Sequence, residues 1–206
     1  MTAITISRQL GSMGDEVAQA IANRLNYSII SRDLINQAAL RAGVPEMALA
    51  AIDDLGLFGI HPSRQARSAY QQAIKDTMRE IADTGQVVIL GRAGQVILRN
   101  HPGVLHVMVI APFNVRVERI AQQHNITNEA AAAQIESSDR TRRNYLRRFY
   151  HARWDNPELY DLVVNTFRLS PDQAACLICQ SLSLCILQPH DQPINEIHTT
   201  NRNYLA

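Results

Sequence analysis

The first twenty-five residues constrain the fold of this chain more than any other stretch. Ile4, Thr5 and Ile6 form a short β-branched run, and a turn holding Gly11, Ser12 and Gly14 follows. Val17, Ala18, Ile21, Ala22 and Leu25 then recur on one face of a helix. Strand, glycine turn and helix in that order aim backbone N–H groups and the positive end of a helix dipole at a phosphate. A tight connection that binds nothing has the same outline, and the turn lacks the G-x-x-x-x-G-K-[ST] spacing that would separate the two. Lys75 is the only lysine among 206 residues, and Asp15 and Glu16 stand where cationic and hydroxyl groups are expected. The turn alone therefore leaves both readings open.

Composition removes some classes of function. With 19% charged residues and a net charge of +1, the chain lacks the basic excess of a general nucleic-acid or membrane-surface binder. No run approaches the ~18 apolar residues of a membrane span. No basic segment followed by an apolar one marks a leader, so the cytoplasm is the expected compartment. The cations are almost all arginine, nineteen against one lysine. Arginine offers a planar fork for phosphate and carboxylate and stays charged, although a genome-wide arginine bias produces the same count. Cys176 and Cys179 have C-x-x-C spacing but lie inside a helical pattern that begins at Pro171. With Cys185 they read as small buried hydrophobes, not as a redox or zinc site.

Further along, the pattern predicts a strand over Tyr27–Ile30 and a helix over Leu34–Ala42. Residues 43–62 read as a helical turn plus loop, followed by a long helix from Ser63 to Thr84 with Gly85 as its C-cap. Val87–Leu90 and Leu105–Ile110 are continuous apolar runs of the kind buried on both faces of a parallel sheet. A helix over Asn114–Gln123, a second helix N-capped by Thr127, a strand over Asp161–Val164 and a last helix from Pro171 complete the body. Residues 188–206 form a polar arm. The expected fold is α/β, a five-stranded parallel sheet with helices on both faces, in one domain over 1–187. Ligands of such sheets bind at the carboxyl ends of the strands. That rule selects Ser7–Gly14, Ser31–Asp33, Gly91–Gly94 and Ala111–Phe113.

Asp139 to Trp154 holds the densest charge, with Arg140, Arg142, Arg143, Arg147, Arg148 and Arg153 in fourteen positions. On a helix Arg140, Arg143 and Arg147 share one face, while Tyr145 and Phe149 form an i,i+4 apolar pair. A solvated basic face is the plain account of such a run. Because it directly precedes a strand, it is also placed to fold over the same rim as the glycine turn.

Taken together, these segments resemble the cytidylate-kinase-like branch of the P-loop nucleoside monophosphate kinases. The resemblance rests on Ile6-Ser-Arg-Gln-Leu-Gly-Ser-Met-Gly14, Val88-Ile-Leu-Gly-Arg92, and Ala111-Pro with Arg116 and Glu118-Arg119. Asp139-Arg-x-Arg142 with Tyr145, and Trp154-x-x-Pro157-x-x-Tyr-Asp-Leu-Val-Val-Asn-Thr166, complete it. It covers about residues 3–186. It implies a P-loop kinase sheet with an arginine-rich helical lid over 127–154, an acceptor side near 43–62, and ATP-dependent phosphorylation of a nucleoside monophosphate, CMP or dCMP. By position it implies that Gly11, Ser12 and Gly14 cradle the phosphates of ATP and that Arg92 holds the acceptor; Arg8, Met13, Asp15 and Glu16 are expected beside the ATP, and Asp33, on the rim, beside the acceptor. Asp139, Arg140 and Arg142 resemble the lid residues that act on the transferring phosphoryl group. Mg²⁺ arrives with ATP, with no metal site made by the protein alone.

The departures are specific. Gly14 falls at or beside the place of the P-loop lysine, Met13 replaces a glycine, and Ala93 stands where cytidylate kinases carry aspartate. Arg8 or a lid arginine then has to supply the missing charge, and Asp15 or Glu16 takes the place of the usual Mg²⁺-binding hydroxyl. A non-catalytic nucleotide-binding protein on the same fold, and a kinase of another small acceptor, remain as alternatives. The expected partners are nucleotides, with neither nucleic acid nor membrane, and self-association is left open.

Overall fold

The β-branched run at the start of the chain becomes the middle strand of the sheet. The structure is a computed structural model that describes residues 2–41 and 64–187. Its elements run β1 (Ala3–Arg8), α1 (Gly14–Leu25), β2 (Ser28–Ile30), α2 (Arg32–Arg41), α3 (Arg64–Thr84), β3 (Val87–Leu90), α4 (Gly94–Ile97) and β4 (Val104–Ile110). They continue with α5 (Phe113–His124), α6 (Asn128–Tyr150), a 3-10 turn (Pro157–Leu159), β5 (Leu162–Asn165) and α7 (Pro171–Leu187). The five strands lie in the order β2-β3-β1-β4-β5, and every pair is parallel.

The chain steps to one side of β1 for β2 and β3, and to the other for β4 and β5. Ile6 pairs with Leu90 on one side and with Val107 on the other. Strand ends 7–14, 91–94 and 111–113 therefore open on one rim, where the winding changes direction and a crevice forms.

Continuous apolar strands need cover on both faces, and two core layers supply it. Ile4, Ile6, Val88, Val107 and Val109 pack with Val17, Ile21, Ala174, Ile178 and Leu182, from α1 and α7. Ala3, Val87, Ile89 and Met108 pack with Tyr70, Ile74 and Met78 of α3 and with Tyr145, Leu146 and Phe149 of α6. A third, smaller cluster joins Val117 and Ile120 of α5 to Ala131 and Ile135 of α6. The lid expected over 127–154 is thus one helix of 23 residues, about 35 Å long, seated on the core near both ends.

Where element bounds differ from expectation, a local bond explains it. Tyr27 stays outside β2 because Asn26, at φ 54°, ends α1 in the left-handed region, and the Tyr27 N–H donates to Ala22 O. Asp161 precedes β5 because its carboxylate accepts from His106 N while its own N–H donates to His106 O. α2 starts at Arg32, before the expected Leu34, with the Ser31 hydroxyl accepting from Leu34 N. Thr127 caps α6 as expected, accepting from Ala130 N at 3.3 Å. Cys176 and Cys179 are free thiols, both half-buried on α7. Residues 43–62 and the arm over 188–206 lie outside the described residues.

Candidate active site

The turn between β1 and α1 is held from behind through its carbonyls. Gln9 O accepts from Ser12 Oγ at 2.8 Å, Leu10 O from Arg116 Nη1 at 3.3 Å and Gly11 O from Arg119 Nη1 at 3.3 Å. Ser12 O accepts from Thr166 Oγ1 at 2.8 Å, and Met13 O from Val17 N at 2.9 Å. In a trans peptide the N–H points opposite to the carbonyl, so the N–H groups of Gly11, Met13 and Gly14 face away from these partners. The first N–H groups of α1 have no acceptor within the helix and extend the same array of donors. Gly11, at φ 78°, is required: a Cβ there would lie 2.9 Å from Arg116 O. Met13 adopts φ 61° with a full side chain, a strained choice where glycine would be at ease.

Two cavities open on this rim. One, of about 670 Å³, lies over the turn and is lined by Gly11, Met13, Gly14, Asp15, Glu16 and Arg119, among others. The other, of about 510 Å³, lies over the ends of β1, β2 and β3 and takes in Ser7, Ser31, Asp33, Arg92, Thr141 and Trp154. Arg8 and Arg142 line both. A donor bound over the turn and an acceptor over the strand ends would therefore meet between two guanidinium groups.

The walls of the second cavity are fixed by buried bonds. Gly91, Arg92 and Ala93 all have positive φ, and this turn carries Arg92 back into the protein. There its Nη2 donates to Asn36 Oδ1 at 2.6 Å, and the guanidinium lies 5.8 Å from the centre of the Tyr145 ring. Trp154 Nε1 donates to Ser7 Oγ at 2.8 Å, Tyr160 Oη donates to Trp154 O at 2.8 Å, and Gln95 Nε2 donates to Tyr160 Oη at 3.2 Å. Burial pushes the Tyr160 phenol up to about 12, so it remains a neutral donor in this chain of bonds.

Behind the turn, Arg116 Nη1 pairs with Asp139 Oδ2 at 2.9 Å, with 6% and 11% of the two side chains exposed. The same Nη1 reaches Leu10 O, so one guanidinium joins α6 to the phosphate-type turn. Arg119 does similar work, reaching Gly11 O, Thr166 Oγ1 and Thr166 O.

The expected site residues divide on this geometry. Arg8, Gly11, Met13, Gly14, Asp15 and Glu16 gather at the first cavity, and Asp33 and Arg92 at the second. Ser12 is buried, and its hydroxyl is spent on Gln9 O. Arg142, which donates to Ser138 Oγ, is on the wall between the cavities. Arg140 is exposed and lines neither. Asp139, expected among the catalytic groups, is the buried partner of Arg116 and is not among the residues lining either cavity. Sequence reasoning missed the parts of Arg116, Arg119 and Thr166 in holding the turn, and of Gln95, Thr141 and Trp154 in the second cavity. Arg116, Arg119, Trp154 and Thr166 belong to the motifs quoted above, but a motif does not say whether a side chain faces a ligand or the turn that holds it.

Comparison with known proteins agrees with this architecture. A model of the cytidylate kinase-like family matches residues 3–168. The chain is 26% identical to a cytidylate kinase of Natronomonas pharaonis over 178 residues, 85% of this chain and 86% of that protein. It is also 28% identical over 151 residues to a uronate isomerase of Corynebacterium glutamicum, covering 73% of this chain but only 29% of that longer protein. Among solved structures, an uncharacterized protein from Eubacterium ventriosum superposes with a TM-score of 0.69 at 18% identity, covering 89% of this chain and 99% of that one. Shikimate kinase from Acinetobacter baumannii, in complex with shikimate, gives 0.51 at 11% identity, covering 91% and 96%. The parallel sheet, the phosphate-type turn and the match over residues 3–168 lead to one conclusion: this chain belongs to the cytidylate kinase-like family, on a P-loop kinase fold.

Proposed function

We propose that the protein transfers the γ-phosphoryl group of ATP to a nucleoside monophosphate, CMP or dCMP first among them. The observation that carries this reading is the pair of cavities that meet at Arg8 and Arg142. ATP lies over the Gly11–Gly14 turn, its phosphates on the N–H groups at the start of α1. The acceptor lies over the strand ends against Arg92 and Asp33, and Arg142 faces the group in transit. Asp139 serves as a positioning residue through Arg116, and Arg140 stays outside the site.

The residues fit a Mg²⁺ carried by the nucleotide. Glu16 offers a carboxylate on the cavity wall, where it would meet a Mg²⁺ that arrives with the nucleotide. Bound there, Mg²⁺ neutralises phosphate charge. Among the described residues no helix is long and apolar enough to cross a membrane. Our reading puts the protein in the cytoplasm.

A second reading, a kinase of a hydroxylated sugar acid, has its own support. Ala93 removes the carboxylate expected for reading cytosine, the second cavity is lined by Ser7, Ser31, Ser138 and Thr141, and part of a protein named uronate isomerase is similar to this chain. One experiment separates the readings: ADP release measured against a panel of nucleoside monophosphates, uronates and gluconate. We expect turnover with a pyrimidine monophosphate, and an Arg92→Ala variant whose acceptor KM rises far more than its KM for ATP. Turnover with sugar acids alone would favour the second reading. ATP binding without turnover on any acceptor would leave a non-catalytic nucleotide binder.

A further inference from the structure

We propose that Arg8 is the cation that grips the phosphates in the place a P-loop lysine would fill, brought there on the end of a strand and not on the turn itself. This rests on the ATP-site reading above.

The argument begins with the glycine at position 14. A Cβ added there would lie 2.4 Å from the Cβ of Arg8 and 2.7 Å from its Cγ. No side chain fits at 14 while the stem of Arg8 occupies that space. The absent lysine and the present arginine are thus two aspects of one arrangement: the position that ordinarily carries the cation is bare because the cation's stem arrives from β1. A second glycine completes the trough. At Gly91 an added Cβ would lie 3.2 Å from Arg8 Nη1, so the guanidinium runs between the start of α1 and the end of β3.

Asp15 holds this head group. Its Oδ1 accepts from Arg8 Nε at 3.0 Å and lies 2.8 Å from Nη2, while Nη1 is the nitrogen beside Gly91. Asp15 is 66% exposed and Arg8 22%. A surface ion pair of this kind contributes little to stability and gives no reason to keep position 14 bare for the arginine's stem. A ligand-facing cation does, because Arg8 lines both cavities. The other arginines near the turn are committed elsewhere. Arg116 and Arg119 hold its carbonyls from behind, and Arg142, which reaches both cavities from α6, donates to Ser138 Oγ on its own helix.

The step Arg8 serves is balanced without any proton leaving it. An oxygen of the acceptor bonds the γ-phosphorus as the bond from that phosphorus to the β,γ-bridging oxygen breaks, and the electron pair leaves on ADP. Arg8 stays protonated and offers two N–H donors to the oxygens on which charge accumulates.

The test transposes the cation. Arg8→Gly removes both the charge and the stem, and should lower kcat/KM ~10²-fold or more and weaken Mg·ATP binding in calorimetry about tenfold. Gly14→Lys in the otherwise unaltered chain should clash with Arg8 and lose activity. The double variant Arg8→Gly/Gly14→Lys should regain at least about tenfold in both measures over Arg8→Gly alone. Both variants melting normally with no recovery in the double variant would overturn the proposal. Should the double variant not fold, Arg8→Gln decides, since it keeps the length and loses the charge. Unchanged kcat and Mg·ATP affinity in that variant overturn the proposal, and loss of both supports it. If the unmodified protein phosphorylates no acceptor yet binds Mg·ATP with an affinity that depends on Arg8, the transfer reading fails and the cation assignment stands.

Discussion

Arg140 and Arg142 stand two positions apart in the same motif, and the structure gives them opposite surroundings. At 3.6 residues per turn, two positions are about 200° apart around a helix. Arg142 therefore reaches the wall between the cavities while Arg140 is left in solvent. Phosphoryl transfer spreads charge over three equatorial oxygens, and a well-placed arginine contributes ~10³–10⁵ to the rate. Arg142→Ala should accordingly lower kcat and kcat/KM together by about 10³-fold, because the contact matters most in the transition state. Arg140→Ala should stay within about threefold of the unmodified enzyme, as exposed charges generally do. Steady-state kinetics on the two purified variants checks this, and equal losses would remove the distinction. At this scale the sequence was legible only in part. It showed that arginines crowd the segment, but which of them points inward depends on the helix phase, and that is set by Tyr145, Leu146 and Phe149 packing into the core.

The element that matters most is α6, and one buried ion pair fixes its relation to the turn. Arg116 and Asp139 are shielded from water, and Arg116 also holds Leu10 O. Removing one partner leaves a buried charge without its counter-ion, which costs about 3–5 kcal/mol, whereas replacing both by apolar groups of similar volume is often neutral. Asp139→Ala should thus lower unfolding free energy by about 3–5 kcal/mol, and Arg116→Met/Asp139→Leu should regain most of that loss. Urea denaturation of the single and double variants measures the difference. If the double variant recovers stability but not transfer, the pair is a device for seating α6 against the turn, which is its assigned role. A double variant as unstable as the sum of its parts would contradict the buried-pair account. Elements themselves were readable where the pattern was unambiguous: Val87–Leu90 is a strand over the same four residues expected from its apolar run. The errors at Tyr27 and Asp161 came from local hydrogen bonds and a left-handed cap that no periodicity encodes.

Across the whole molecule, alternating apolar strands and helices were enough to predict a parallel sheet with both faces covered, and the strand-end rule located the rim. The strand order is not written in the alternation, since inserting β3 between β1 and β2 depends on how the crossovers pack. One buried group joins β1, β4 and the approach to β5. His106, in β4, sits opposite Thr5 of β1 in register, and its Nδ1 lies 2.7 Å from Thr5 Oγ1. Its Nε2 lies 3.3 Å from Leu98 O beyond α4, and its backbone N–H donates to Asp161 at the entry to β5. A neutral ring with the proton on Nε2 satisfies both contacts, donating to Leu98 O and accepting from the Thr5 hydroxyl. Burial lowers its pKa below 6.5, and His101 adds to the lowering; the Asp161 carboxylate and the Leu98 carbonyl only partly oppose it. The unfolded chain therefore takes up a proton near pH 6.5 that the folded protein refuses. Stability should fall as pH drops through that value, by at most about 1.4 kcal/mol per pH unit from this residue, until the folded-state pKa is reached. His106→Gln keeps a donor for Leu98 O and removes the titration. Melting temperatures from pH 7.5 to 5.5 should decline in the unmodified protein and decline less in this variant, whatever its absolute stability. Parallel slopes would show that the acid sensitivity arises elsewhere and that His106 is only a packing residue.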